Sequence, residues 1–132
     1  MNRLKVLIAD DNGAVRRVVR QLLAPHCQVV GEASDGIQAV ELAQRLRPDV
    51  VLLDVAMPRL SGIEAARHLA DVHGSPAVVF LSVVEDPEIV AAALDAGGRA
   101  YVAKARLAAD LEPAMRAALA GSRFVSAGIP VS

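Results

Sequence analysis

Aromatic residues are nearly absent: one tyrosine, two phenylalanines and no tryptophan, 2% of 132 residues. Stacking platforms for bases or sugars therefore have almost nothing to be built from, and the core must be made of Val, Leu, Ile and Ala. Cysteine occurs once, as Cys27. That excludes an intrachain disulfide and any metal site made of several cysteines, and it fits a reducing compartment. Charge of one sign is not in excess: 14 Lys and Arg face 15 Asp and Glu, for a formal net charge of −1. The electrostatic reason to expect direct nucleic-acid binding is thus removed. No apolar run approaches the length of a membrane span, and the first strand starts at Leu4, too close to Met1 for a signal peptide. A cytoplasmic chain without membrane contact is expected. Two phosphate-binding signatures, GxGxxG and GxxxxGK[ST], are missing. His26, His68 and His73 stand without a Cys or carboxylate at metal-ligand or triad spacing.

What is present is 54% hydrophobic residues, enough for one domain to bury a core unaided. Leu4–Ala9 (LKVLIA), Val50–Leu53 (VVLL), Ala77–Leu81 (AVVFL) and Arg99–Ala103 (RAYVA) are short apolar runs of the kind covered on both faces of a parallel sheet. Cys27–Ala33 (CQVVGEA) is weaker and suits an edge. Between them lie helical patterns. Asn12 caps the first, whose Val15, Val18, Val19, Leu22 and Leu23 share a face and which Pro25 closes. Ser34 and Asp35 cap a second, ended by Pro48. A third runs from about Ile63 to Val72, and a fourth from Pro87 to Ala96, with Pro87 in the first turn. The last begins between Leu107 and Asp110 and reaches Ala120, with Pro113 in its first turn or kinking it. Strands alternating with helices through short connections predict an α/β fold: a doubly wound, five-stranded parallel sheet of order 2-1-3-4-5. Residues 1–121 form the domain. Gly121–Ser132, with its Gly, Ser and Pro, reads as a tail or truncated linker from residue 122 onward.

The polar residues that end the strands fall on one edge. Asp10 and Asp11 end strand one, Asp54 strand three, Ser82 strand four and Lys104 strand five, and the carboxyl edge of such a sheet is where its ligand crevice lies. Each residue alone has a plainer explanation: a helix cap, a strand end, a solvated charge. Five of them on one edge do not. Three carboxylates brought together need a compensating charge, and a hard divalent cation, Mg²⁺, suits one or two carboxylates, water and a phosphate.

At this point the motifs resemble a known family. ADDN at Ala9–Asn12, LLDVAMP at Leu52–Pro58 with Gly62 after it, Ser82 after AVVFL, and AYVAK ending at Lys104 resemble the receiver domain of bacterial response regulators, whose sheet is flavodoxin-like. The likeness spans residues 3 to about 124. VVGEASDG, LRPDVVLLD and ALDAGGRAYVAK are most similar to the NarL/FixJ (LuxR-type) subfamily, whose members usually carry a helix-turn-helix domain after a linker.

The resemblance implies that Asp54 takes a phosphoryl group from a sensor histidine kinase. It further implies that Asp11, Asp54 and the backbone carbonyl of Ala56 ligate Mg²⁺, with Asp10 acting through water. Lys104 would meet the phosphoryl oxygens, and Ser82 would swing to them with Tyr101 following inward. On this view the chain is no enzyme beyond its own phosphotransfer and dephosphorylation. The departures from the family pattern are Ala105 after Lys104, where many receivers have proline, and Ala56 and Val84, where relatives carry polar side chains. These put the lifetime of the phosphoaspartate, and not its formation, in question. Two rivals stand beside this reading: a degenerate receiver working by constitutive contact, and a metal-dependent phosphatase or hydrolase, which would need a general acid where Ala56 stands.

The helix from Pro87 holds more apolar residues than one buried stripe absorbs, so some are expected to face outward. That places a phosphorylation-dependent homodimer or partner contact on this helix, the fifth strand and the last helix.

Overall fold

In the computed structural model, which describes residues 3–72 and 74–131, the aliphatic runs become strands of one parallel sheet. Met1 and His73, used above, lie outside the described residues. The strands are β1 (Leu4–Ala9), β2 (Cys27–Ala33), β3 (Val50–Asp54), β4 (Ala77–Ser82) and β5 (Gly98–Ala103), and they pair in the order 2-1-3-4-5. Every residue of β3 is buried, because β1 pairs with it on one side and β4 on the other. β2, with its mixed sequence, is the half-covered edge.

Helices α1 (Gly13–Leu23), α2 (Gly36–Leu46), α3 (Gly62–Ala70), α4 (Pro87–Asp95) and α5 (Leu107–Leu119) cover the two faces. Side-chain oxygens of Asn12, Asp35, Ser61 and Asp86 accept backbone amides at the first four helix starts, satisfying donors that a helix end leaves free. Alternation along the strands divides the core in two. Leu7, Leu53, Phe80 and Tyr101 face α2, α3 and α4; Ile8, Leu52, Leu81 and Val102 face α1 and α5. Each such fully buried side chain contributes about 1.5–3 kcal/mol.

The structure departs from the sequence reading in three places. Residues 121–131 are not a loose tail, and Ser132 lies outside the described residues. Gly121, at φ 79°, ends α5 with its amide on the Ala118 carbonyl and the Ser122 amide on that of Ala117, a glycine-terminated reversal. The chain then turns back, and β6 (Phe124–Val125) pairs in parallel with Ala100 and Tyr101 as a sixth strand. A strand of two residues followed by Gly and Pro has too short an apolar run to register as periodicity. Pro113 lies inside α5, in its second turn, so of the two placements read from the sequence the first-turn one does not hold. The outward apolar strip expected on α4 is only partly exposed: Val90, Ala93 and Leu94 are buried, and Ile89, Ala91 and Ala92 are half-buried. Alanines are small enough to be largely covered by their neighbours, so counting apolar letters overstates the exposed area. The large apolar side chains that are exposed, among the described residues, are Val18, Leu22, Val83, Leu119 and Val131.

The loop after β3 is held against the start of α3 so closely that a Cβ on Gly62 would lie 1.9 Å from the Asp54 carbonyl oxygen. Gly62→Ala is therefore expected to destabilise the fold by about 1–3 kcal/mol, read as a lower urea midpoint at unchanged slope; an unmoved midpoint would show that the loop yields freely.

Candidate functional site

The five polar residues that the sequence placed at strand ends are carried to one edge by the parallel register. β1 and β3 are neighbours, so Asp10 and Asp11 emerge beside Asp54, and one carboxylate oxygen from each of the three lies within 4.8 Å of the others. Asp10 is fully buried, Asp54 is 5% exposed, and Asp11 reaches solvent. The chain leaves β5 at Lys104, whose Nζ sits 2.7 Å from Asp10 Oδ2 and 3.3 Å from Asp54 Oδ2. Asp10 Oδ1 accepts the Asn12 amide and Asp54 Oδ1 the Ala56 amide.

Burial is the main reason the Asp54 carboxyl is pushed up to about 6. The nearby Asp10 charge adds to the shift, while Lys104 and the Ala56 amide oppose it. Burial pulls Lys104 the other way, but its bond to Asp10 and the charges of Asp54 and Asp10 more than offset this and hold the ammonium above its ordinary value. Lysine stays charged, and the electrostatic strain rests on the carboxylates. Asp10 Oδ2 is buried yet accepts no well-aligned hydrogen bond, the Lys104 ammonium being its ion partner. An under-satisfied buried oxygen among three carboxylates is a donor set that fits a hard divalent cation such as Mg²⁺.

Ser82, at the end of β4, is buried and its Oγ accepts the Val84 amide. Tyr101 is fully buried, its hydroxyl donating to the Val84 carbonyl at 2.7 Å and its ring 6.3 Å from that of Phe80. The inward movement implied for Tyr101 thus has no outward starting point here, since the ring is already inside. Ala56 is exposed and Val84 half-buried beside the site.

Arg16 of α1 reaches from its helix to the acidic loop. Its Nη1 donates to the Asp10 carbonyl at 2.6 Å while Nε pairs with Glu32 at 3.1 Å, bracing the acidic loop from the neighbouring strand. Only the β1–β2 pairing brings Glu32 into reach, so spacing along the chain carried no signal of it. A cavity of about 290 Å³ between α1 and α5, lined by Leu22, Met115 and Leu119 among others, contains none of these polar residues. The polar cluster lies at the sheet edge and not in this apolar hollow.

Comparison with known proteins agrees with the geometry. A family model described as the response regulator receiver domain matches residues 6–116. The chain is 38% identical over 125 residues to "Response regulator GacA" of Pseudomonas syringae pv. syringae, covering 93% of this chain and 58% of that protein. It is 40% identical over 124 residues to "Transcriptional regulatory protein PdtaR" of Mycobacterium tuberculosis, covering 93% and 60%. The chain thus spans less than two thirds of the length of these relatives. Among solved structures it resembles a LuxR-family two-component response regulator from Aurantimonas sp. SI85-9A1, at TM-score 0.89 and 32% identity over 97% of this chain and 93% of that one. It also resembles the response regulator domain of Thermotoga maritima CheB, at TM-score 0.82 and 30% identity over 90% and 98%.

The raised Asp54 carboxyl fixes the sign of a stability effect. The folded chain holds this proton up to about pH 6, whereas the unfolded chain releases it near 4. Stability is therefore lost as pH rises through that window. In metal-free buffer, Asp54→Asn is expected to raise stability at pH 7.5 by on the order of 1–3 kcal/mol, with the gain shrinking towards pH 4. Thermal melts across pH check this; a gain that does not vary with pH would contradict the cause given.

Proposed function

The chain belongs to the response regulator receiver family, and from that premise we propose that Asp54 is its phosphoacceptor, charged by a sensor histidine kinase. The observation that carries the reading is the cluster itself: Asp54 stands within ion-pair reach of Lys104 and beside Asp10 and Asp11. An Asp54 oxygen would attack phosphorus as the phosphorus–nitrogen bond of the phosphohistidine breaks, the imidazole leaving with the electron pair and taking up a proton. Asp54 must enter as the carboxylate, which its value of about 6 permits at neutral pH.

Asp11, Asp54 and the Ala56 carbonyl would hold Mg²⁺, with Asp10 acting through water. When bound, the ion supplies neutralisation of charge on the phosphoryl oxygens. Lys104 then has a new anion to serve, and its ammonium would leave Asp10 for a phosphoryl oxygen as a point charge. Ser82 Oγ would exchange the Val84 amide for the same group, which moves the loop before α4 and the hold of Tyr101 on Val84. These shifts would change the surface of α4, β5 and α5 that controls an output. Similarity to the "Transcriptional regulatory protein PdtaR" supports transcriptional control as that output. A hydrolase reading is disfavoured because Ala56, two residues past Asp54, offers no general acid.

Incubation with acetyl phosphate and Mg²⁺ is expected to add one phosphoryl mass, lost in Asp54→Asn and without the metal; an equal adduct in Asp54→Asn would sink the assignment. Lys104→Ala should leave Mg²⁺ affinity largely intact while blunting the conformational response, because Lys104 is a partner of the phosphoryl group and not of the metal.

The lifetime of the adduct follows from the same positions. Neither Ala56 nor Val84 can orient an attacking water through its side chain, so the phosphoaspartate is expected to be long-lived, and Ala56→Asn or Val84→Glu to shorten it several-fold. Decay followed by intact mass tests this, and identical decay in both variants would remove these positions from the water's path.

A further inference from the structure

The residues that follow α5 are seated on the sheet by more than strand pairing. Ser126, 2% exposed, makes three bonds at one point: its amide donates to the Tyr101 carbonyl at 3.0 Å, its Oγ accepts the Ala103 amide at 3.1 Å, and the same hydroxyl donates to Asp110 Oδ2 at 2.7 Å. Asp110, 7% exposed, is also gripped by Arg106 through Nε at 2.8 Å, and these two donors keep its carboxyl below the ordinary range. Apolar contacts flank this knot on both faces: Phe124 packs on the α1/α5 side, Val125 and the buried Ile129 on the α4 side. The segment is a strap folded across the open edge of β5. It lies beyond the stretch that the family model matches, which ends at residue 116.

What the strap holds adjoins the site. Ala103 immediately precedes Lys104, whose Nζ bridges Asp10 and Asp54, and Tyr101 is tied through its hydroxyl to the Val84 carbonyl, next to the amide on Ser82. We infer that residues 124–129 are an intramolecular regulatory strap, occupying a strand-accepting site formed by the β5 edge and Asp110, and that phosphorylation of Asp54 releases it. This rests on the phosphoacceptor reading. The sign comes from geometry: all three Ser126 bonds are made to the positions that Tyr101, Ala103 and Asp110 take while Lys104 sits on Asp10. Drawing Lys104 to a phosphoryl group pulls on Ala103, and freeing Ser82 from the Val84 amide loosens the loop that holds the Tyr101 hydroxyl, so the modified site and the engaged strap favour different arrangements. Release uncovers the β5 backbone and the apolar floor beneath Val125 and Ile129. By linkage, an engaged strap must weaken binding of a phosphoryl group or its mimic by the same factor by which the mimic weakens the strap.

Amide exchange by NMR on the full chain, with Mg²⁺ and with or without beryllofluoride, reads the strap at the Ser126 and Ile129 amides. Both are expected to exchange about tenfold faster with the mimic bound, a factor within the usual range of coupling between sites. Mimic affinity, followed separately by fluorine NMR, is expected to rise by a similar factor in Ser126→Val and in Ile129→Glu, two variants that loosen the strap in different ways. Failure of the wild type to bind the mimic would overturn the Asp54 reading itself. Binding with unchanged or slower exchange, or unaltered affinity in both folded variants, would overturn the strap alone.

Discussion

One lysine among carboxylates holds the functional edge of this protein together. Lys104 is delivered by the last strand of the predicted sheet, while its partners Asp10 and Asp54 come from two others, so no segment of the chain contains the interaction and no local preference produces it. It exists because parallel crossovers bring the carboxyl ends of all strands to the same side. The pairing is incomplete: one ammonium cannot balance three carboxylates, Asp10 Oδ2 lacks a well-aligned donor, and the Asp54 proton is held unusually tightly. An edge left short of positive charge has a donor set that fits a hard cation.

The same lysine connects the acidic edge to other parts of the domain. Its backbone begins the short 3₁₀ turn Lys104–Arg106 that leads into α5, and the residue before it lies in a ladder with Ser82 on β4. Lys104 thus stands at a junction of β4, β5 and α5. Packed cores shift between discrete arrangements instead of deforming smoothly, which is how a small local charge change reaches a surface. Tyr101 is built into this path as a buried post, hydrogen-bonded at its tip to the loop before α4 and paired along its backbone with β6.

The core and the acidic cluster were legible in the residues themselves. VVLL of β3 and AVVFL of β4 have no polar alternation and admit few placements other than a doubly covered strand, and the cap residues Asn12, Asp35 and Asp86 mark helix starts through chemistry that acts over two or three residues. The bracing of Asp10 by Arg16 was hidden, because it depends on Glu32 arriving from β2. The C-terminal strap was hidden for a related reason. Phe124 and Val125 gain their order from the β5 edge, Asp110 and a buried pocket for Ile129, none of which lies nearby in the chain. The burial of α4 was misjudged because alanine counts as apolar in a tally yet leaves little area to expose.

By itself, then, the sequence determined the alternation of strands and helices, the strand-end chemistry of Asp10, Asp11, Asp54, Ser82 and Lys104, and the near absence of aromatic or cysteine chemistry. These depend on composition, on periodicity and on contacts over a few residues, all of which are written in order along the chain. Only the tertiary structure decided that Lys104 sits on Asp10 as well as Asp54, that Tyr101 is already inside, and that the last residues close over β5 as a sixth strand. Those outcomes are set by distances between segments up to a hundred residues apart, where the energy lies in desolvation and in the pairing of buried polar groups, and neither quantity exists until the chain has folded.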